Sequence, residues 1–411
     1  DRSLTVKAPA NYASARVLLV RIAEAIRRRL IRGIRLLSFP FVYVPMVLAS
    51  KLSGRRFCFA EISLRHIGGS VLIADAILRR NDVDIDKNRL IVLRTESQLA
   101  NGYVYELLRG KLQFIDSPLL NAVLSPLTTI GNKLNQTHRL RYLNYQEARD
   151  LPLFEWFGDR DRERAADLLS RLGLNGPGAW FVCFFARDNA YSEANFSTAE
   201  LASYKLVHEC RNSDISTHIK AMQFILEKGG HVVRIGRTVR TPLGYSHPNL
   251  IDYPYSDYVS DFADICLVCN CKFVIGDAAG IVDVSSIAGV PHGRVNEPLY
   301  SIKWRRPRSI FIPKLVRSIQ TEQVLSLSEY NRVYDLSMPF VRFLQFMRDQ
   351  ELTFVQNTED DILQVTEAMY RAYVLGERGT ADAIEKVNNR VGPENNGIWP
   401  EFLIAHTALT A

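Results

Sequence analysis

The sequence predicts an α/β protein with two domains built on parallel sheets, and three observations carry that expectation. At 411 residues and 47% apolar composition, the chain is long enough to bury more than one core. Short apolar runs alternate with helix-length segments over residues 55–145 and again over 180–288, and such alternation marks parallel strands joined by crossover helices. A charged stretch with Asp159-Arg160-Asp161 and the breaker Gly176-Pro177-Gly178 separates the two. The boundaries that follow are an N-terminal amphipathic and apolar segment at 1–54, a first domain at 55–150 and a linker at 151–178. A second domain spans 179–330, and peripheral helices and a tail make up 331–411.

The N-terminal segment holds most of the net charge. Residues 16–35 contain seven arginines and a single acid, Glu24, and so supply +6 of the formal +7. At 3.6 residues per turn Leu19, Ile22, Ile26, Leu30, Ile34 and Leu37 share one stripe while Arg21, Arg28, Arg32 and Arg35 fall opposite, which describes a cationic amphipathic helix. The apolar run Leu36 to Leu52 follows, interrupted by Pro40 and Pro45. It is marginal beside the ~20 residues a spanning helix needs, so an in-plane or re-entrant anchor is expected, with arginines meeting anionic headgroups. Docking of residues 16–52 on a partner protein is the competing expectation. Charge gathered in one helix, not spread over a folded face, argues against a nucleic-acid partner. A secretory leader is not expected, and the reading is a cytoplasmic protein peripheral to the inner face of a bacterial membrane.

In the first domain the pattern gives strands at Phe57–Leu64, Arg89–Arg94 and Leu112–Ile115. Helices are expected at Ser70–Arg80 and Gly102–Arg109. In the second, Trp180–Phe185, His231–Ile235 and Lys272–Ile275 read as strands, and Asp214–Lys228, Phe262–Cys269 and Val282–Ala288 as helices. Ser213 or Asp214 can cap the first of these helices and Gly229-Gly230 can stop it. Asn189 to Ser213 reads as an unusually long loop, and Leu336–Arg348 and Asp360–Leu375 as peripheral helices. The six cysteines suggest reduced thiols. Cys266, Cys269 and Cys271 are spaced C-x-x-C-x-C, but no fourth ligand completes a zinc site, and buried packing is the expected role.

Ligands of open parallel sheets bind outside the carboxyl ends of the strands. Three consecutive ends here carry matching chemistry: Arg187-Asp188, then Arg234-Ile235-Gly236-Arg237, then Gly276-Asp277-Ala278-Ala279-Gly280. Arginine forks suit phosphate, and glycines let backbone N–H groups approach an anion at a helix start. With Arg211 added from His208–Ile215, the segment that closes the long loop before a helix start, Arg187, Arg211, Arg234, Gly236, Arg237, Gly276, Asp277 and Gly280 are the expected ligand-binding residues. Asp188, Glu193 and His208 are the candidate general bases, in no fixed order.

The strings Phe184-Phe185-Ala186-Arg187-Asp188, His208 to Ile215 as H-x-x-R-N-x-D-I, Val232-Val233-Arg234-Ile235-Gly236 and Gly276 to Gly280 resemble a bacterial family of surface-polysaccharide glycosyltransferases. These are similar in their C-terminal half to GT-B enzymes such as heptosyltransferases and O-fucosyltransferases. The resemblance covers residues 180–300, with His66-Ile67-Gly68-Gly69 alone matching in the first domain. It implies two Rossmann-like domains facing a cleft, the acceptor on the first and a nucleotide-sugar donor on the second. It further implies transfer to a glycan or lipid-linked acceptor without a metal or other cofactor, with Arg187, Arg234 and Arg237 facing the diphosphate. Asp277-Ala278-Ala279 departs from the hydroxyl residues such families carry there, and an acid beside a diphosphate should weaken binding. That departure supports an alternative: a catalytically silent scaffold subunit of the same fold. Metal-dependent transfer would need D-x-D at a strand end, whereas Asp84-Ile85-Asp86 and Asp159-Arg160-Asp161 read as surface turns. A dinucleotide oxidoreductase would need G-x-G-x-x-G after a first strand, which is absent.

Overall fold

A computed structural model describes residues 33, 40–54, 56–80, 88–94, 98–126, 152–298, 308–333, 340–389 and 398–409. The cationic helix expected over 16–35 lies outside these residues apart from Gly33, as does Asp84-Ile85-Asp86. By contacts the chain divides into two compact units, one of residues 1–63, 83–97 and 111–141, the other of 64–82, 98–110 and 142–411.

The first unit contains a parallel sheet of β1 (Arg56–Ile62), β2 (Asn88–Arg94) and β3 (Gln113–Ile115), paired in chain order. Its small core is Phe59 and Leu93, covered by Ile91, Ile115, Leu124 and three residues of a helix over 40–53, Val42, Tyr43 and Met46. Leu124 comes from α3 (Pro118–Pro126). Two crossover helices, α1 (Ile67–Arg80) and α2 (Gly102–Lys111), pack largely with the second unit. In α1, buried Asp75 accepts Trp156 Nε1–H at 2.8 Å and pairs with Arg79 at 2.7 Å.

The second unit is organised by six parallel strands: β4 (Phe181–Phe185), β5 (His231–Arg234), β6 (Leu250–Asp252), β7 (Val274–Gly276), β8 (His292–Glu297) and β9 (Ser309–Pro313). Their order across the sheet is β6-β5-β4-β7-β8-β9. β4 is buried on both faces, as the unbroken apolar run Phe181-Val182-Cys183-Phe184 requires. Helix α7 (Ile219–Glu227) lays Ala221, Met222, Ile225 and Leu226 on the core. A 3-10 turn at Ile215–His218 precedes it, capped by Asp214 through Ser216 N–H at 2.9 Å, and Gly229 ends it at φ +80°. Ser260 caps α8 (Asp261–Asn270), and α9 (Gly280–Val284) continues as a 3-10 turn through Ala288.

Several expectations are corrected. The supposed loop 189–213 is two helices, α5 (Ala190–Asn195) and α6 (Thr198–Glu209). Ser197 and Glu200 form a capping box that starts α6, Ser197 N–H reaching Glu200 Oε2 at 2.8 Å. The linker stretch contains α4 (Asp159–Arg171), with Asp159 and Asp161 at its positive N-terminus, so Asp159-Arg160-Asp161 opens a helix and is no surface turn. Strands β6, β8 and β9 were not expected, and β8 escapes a hydrophobic-run search because His292-Gly293-Arg294-Val295-Asn296-Glu297 is mostly polar yet wholly buried. Its charges are paired internally, Arg294 Nε to Glu297 Oε1 at 3.0 Å. Beyond them come α10 (Leu327–Val333), α11 (Phe340–Asp349), α12 (Glu359–Tyr373), α13 (Arg378–Asn389) and α14 (Pro400–Ala405), with β10 (Leu315–Ser318) and β11 (Leu352–Val355) as an antiparallel ribbon. Burial pushes the Cys266 thiol up to about 12, and Cys271 donates to Val268 O at 3.5 Å, so both pack as protonated thiols.

Candidate functional site

The strand order of the second unit reverses between β4 and β7, since β5 and β6 lie to one side and β8 and β9 to the other. A doubly wound sheet opens a crevice at that point, beyond the strand carboxyl ends. A cavity of about 350 Å³ lies there, lined by Arg65, His66, Arg187, His208, Arg211 and Arg237 among others. That volume suits a small ligand.

Arg187 stands two residues past β4 and is fixed from several sides. Its backbone N–H donates to Asp277 Oδ2 at 2.8 Å and its carbonyl accepts from Ser213 N–H at 2.9 Å. Its guanidinium donates to His208 Nδ1 at 2.8 Å. Because arginine cannot accept, His208 Nδ1 must be the unprotonated nitrogen, and the neutral ring carries its proton on Nε2. Burial first, then Arg187, Arg211 and His66, hold this imidazole down at about 4. His208 therefore orients an arginine and is a poor proton acceptor near neutrality.

Arg211 lies just past α6 and donates from Nε to Ala278 O at 3.1 Å, with a second bond from the same fork. A neutral carbonyl positions this cation at the cavity wall. Behind it, Asp277 is fully buried and absent from the cavity lining. Its carboxylate takes the Arg187 N–H and the Ser213 hydroxyl. Burial raises it to about 7, opposed by Ser213, Arg187 N–H and Lys314 and assisted by Glu297. The acid expected beside the ligand is thus a brace beneath the rim.

Helix α1 delivers its N-terminus to the same cavity through His66, Ile67, Gly68 and Gly69. It reaches α9 with almost no clearance. A Cβ on Gly68 would lie 2.6 Å from Gly280 Cα, and one on Gly280 would lie 2.7 Å from Gly68 N. Glycine at both positions is what allows the two backbones to meet. Four first-turn N–H groups of a fourteen-residue helix favour an anion in front of them.

The remaining expected residues divide. Gly236, at φ +132°, and Arg237 line the cavity, but Arg237 is already matched by Asp264 at 2.8 Å and by Asp261. Arg234 does not line it: buried at the carboxyl end of β5, it donates to Thr241 O at 2.8 Å and pairs with Asp252 at 3.2 Å. Gly276 lies under Phe185, outside the lining. Asp188 does line the cavity, yet its oxygens accept Ala190 N–H and Arg240 N–H, each at 2.8 Å. Glu193 pairs with Arg240 at 2.9 Å and lies outside the lining. Together Asp188 and Glu193 staple the first turn of α5 to the segment that carries Arg240. Arg65 and Asp283 were missed by sequence reasoning although they line the cavity, and Tyr191 and Phe196, which also line it, were noted only as part of the supposed long loop. Arg65 lies over the Phe196 ring at 4.3 Å and holds the Glu200 carboxyl down at about 2. The His66-Ile67-Gly68-Gly69 string ahead of an apolar helix was the available signal.

No family model matches the sequence, and no curated protein matches it either. Among solved structures, the chain is similar to a glycosyl transferase family 9 protein from Veillonella parvula. The identity is 9% and the TM-score 0.42, over 76% of this chain and 96% of that one. It is also similar to TibC, a dodecameric iron-containing glycosyltransferase from enterotoxigenic E. coli, at 11% identity and TM-score 0.37 over 77% of this chain and 76% of the other. A second TibC structure, with ADP-D-beta-D-heptose, gives 11% and 0.37 over 78% and 77%.

Proposed function

We propose that the protein is a GT-B type glycosyltransferase that moves a sugar from a nucleotide-activated donor to a cell-surface glycan or lipid-linked acceptor. The observation that supports this most is the meeting of Arg187, Arg211 and the α1 N-terminus at the switch point of the second unit's sheet. Each stabilises negative charge, and in the proposed transfer charge grows on the departing diphosphate. The acceptor hydroxyl oxygen bonds to the anomeric carbon, the glycosyl–phosphate bond breaks, and its electron pair passes to the diphosphate oxygen. Donors fixed before reaction lower that barrier more than mobile ones. His208 fixes Arg187, and Ala278 O fixes Arg211.

The hydroxyl proton needs an acceptor. His208 is held neutral with Nδ1 occupied, and Glu193 lies outside the cavity, so Asp188, His66 and Asp283 are the lining groups to test for that role. A place at the inner face of a bacterial membrane belongs to the same proposal. The silent-scaffold alternative rested on lost hydroxyl donors and on an acid beside the diphosphate; Asp277 is buried away from the cavity, which removes the second of these supports.

Thermal denaturation with nucleoside diphosphates and UDP-, GDP-, ADP- and CMP-linked sugars tests the reading. At least one ligand should raise the midpoint, and an Arg187→Ala, Arg211→Ala variant should lose the response. A folded wild-type protein that responds to none of them would overturn it.

A further inference from the structure

The helix over 40–53 has two apolar faces and only one is used. Val42, Tyr43 and Met46 cover the small core of the first unit. Phe41, Val44, Leu48 and Leu52 are 80%, 53%, 54% and 89% exposed. Their spacing of three, four and four residues places them on one stripe. Lys51 is the sole charged residue among residues 40–53. Leu119 and Leu120 of α3, a helix that packs on the same core through Leu124, are exposed as well. A run of large exposed apolar side chains is unusual for a surface that meets only water.

The charge that flanks this stripe in sequence indicates what meets it. From Ala25 to Ala60 there is no aspartate or glutamate, while Arg27, Arg28, Arg29, Arg32, Arg35, Lys51, Arg55 and Arg56 supply eight cations. An apolar stripe set in an acid-free cationic stretch matches a bilayer surface with anionic headgroups, which offers acyl chains and negative charge together. A protein partner would have to supply a greasy groove and a dense acidic rim at once. At 1.5 Å per residue, residues 40–53 of this helix extend about 20 Å, against the ~30 Å hydrocarbon core. Among the described residues no helix is long and apolar enough to cross a membrane.

We infer that the stripe Phe41-Val44-Leu48-Leu52 docks in plane on an anionic lipid bilayer, whose negative headgroups match the cationic sequence on either side of it. This deepens the proposed place at a membrane face and rests on it only for the biological setting. Its test needs no sugar transfer, so the two readings fail separately.

The test is co-sedimentation of the full chain with phosphatidylglycerol-containing and with pure phosphatidylcholine vesicles. The wild-type protein should sediment with the first and much less with the second, and its binding should weaken as salt screens the headgroups. Val44→Asp with Leu48→Asp should reduce binding about tenfold or more, because two anchoring side chains become acids facing anionic lipid. Both positions are exposed, so folding should survive, as circular dichroism would check. A Phe41→Trp variant provides an independent readout, its fluorescence being quenched by brominated acyl chains. Undiminished binding by the double aspartate variant, or an unquenched Trp on vesicles that bind the protein, would overturn the inference. So would a wild-type dimer that the double variant converts to monomer, since a second copy would then cover the stripe.

Discussion

Adjacent glycines at the start of α1 should respond to alanine in opposite directions. A Cβ on Gly68 would lie 2.6 Å from Gly280 Cα, 2.7 Å from Asp283 Oδ2 and 3.1 Å from Asp283 Cβ. Carbon atoms rest at about 3.5–4.0 Å, so the two helix ends must part by roughly 1 Å, and a backbone Cα cannot rotate aside. Overpacking of that kind costs about 1–3 kcal/mol, offset by at most about 1 kcal/mol of helix propensity. A Cβ on Gly69 meets nothing within 4 Å, so Gly69→Ala keeps the propensity gain alone. At about 2–4 °C per kcal/mol for a domain of this order, Gly68→Ala should lower the melting midpoint by several degrees and Gly69→Ala should leave it level or raise it. Differential scanning calorimetry measures both. Gly68→Ala should also weaken nucleotide binding several-fold, because the α1 N-terminus is displaced. Equal midpoints for the two variants would refute the close approach of α1 and α9 on which the site depends.

Three further outcomes follow from the groups around Arg187. The His208 imidazole is held down at about 4 when folded and titrates near 6.5 when unfolded, so its contribution to stability is full above about 6.5 and is lost as pH falls toward 4; His208→Gln should flatten that acid limb in pH-dependent denaturation. Asp277 behaves oppositely: with its carboxyl raised to about 7, the contribution is present below about 4 and is lost as pH rises through 7. The stability of Asp277→Asn relative to wild type should therefore improve from pH 5 to pH 8. Asp277→Ala should cost about 1–3 kcal/mol for each of the two donors it strands, Arg187 N–H and Ser213 O–H, as read by urea denaturation.

Much of this arrangement was legible in the sequence, for physical reasons that differ by element. The strand at Phe181–Phe185 and the helix at Ile219–Glu227 were readable because burial on both faces, or on one helical stripe, leaves a direct residue pattern. The polar β8 was not, because its burial depends on an Arg294–Glu297 pair that no hydropathy pattern reveals. The helices inside 189–213 were missed although Ser197-x-x-Glu200 announced one of them, since weak amphipathicity hid the rest. At the site, strand-end logic located Arg187, Arg237 and Gly280, and the segment that closes the supposed long loop located Arg211. It could not say which way a side chain turns. Arg234 turns to Asp252 and Asp277 turns inward, and both choices are made by partners distant in sequence. His66 and Gly68 could be placed only by the fold, because the chain joins them to Gly280 across two hundred residues.

The central claim is that the rim of Arg187, Arg211 and the α1 N-terminus holds the diphosphate of a nucleotide-activated sugar. A crystal structure of the protein soaked with a nucleoside diphosphate that stabilises it tests this most directly. The account predicts diphosphate oxygens within about 3 Å of the Arg187 and Arg211 guanidinium groups and in front of the first-turn N–H groups of α1. Density for the nucleotide elsewhere on the protein, with this cavity left to solvent, would contradict it.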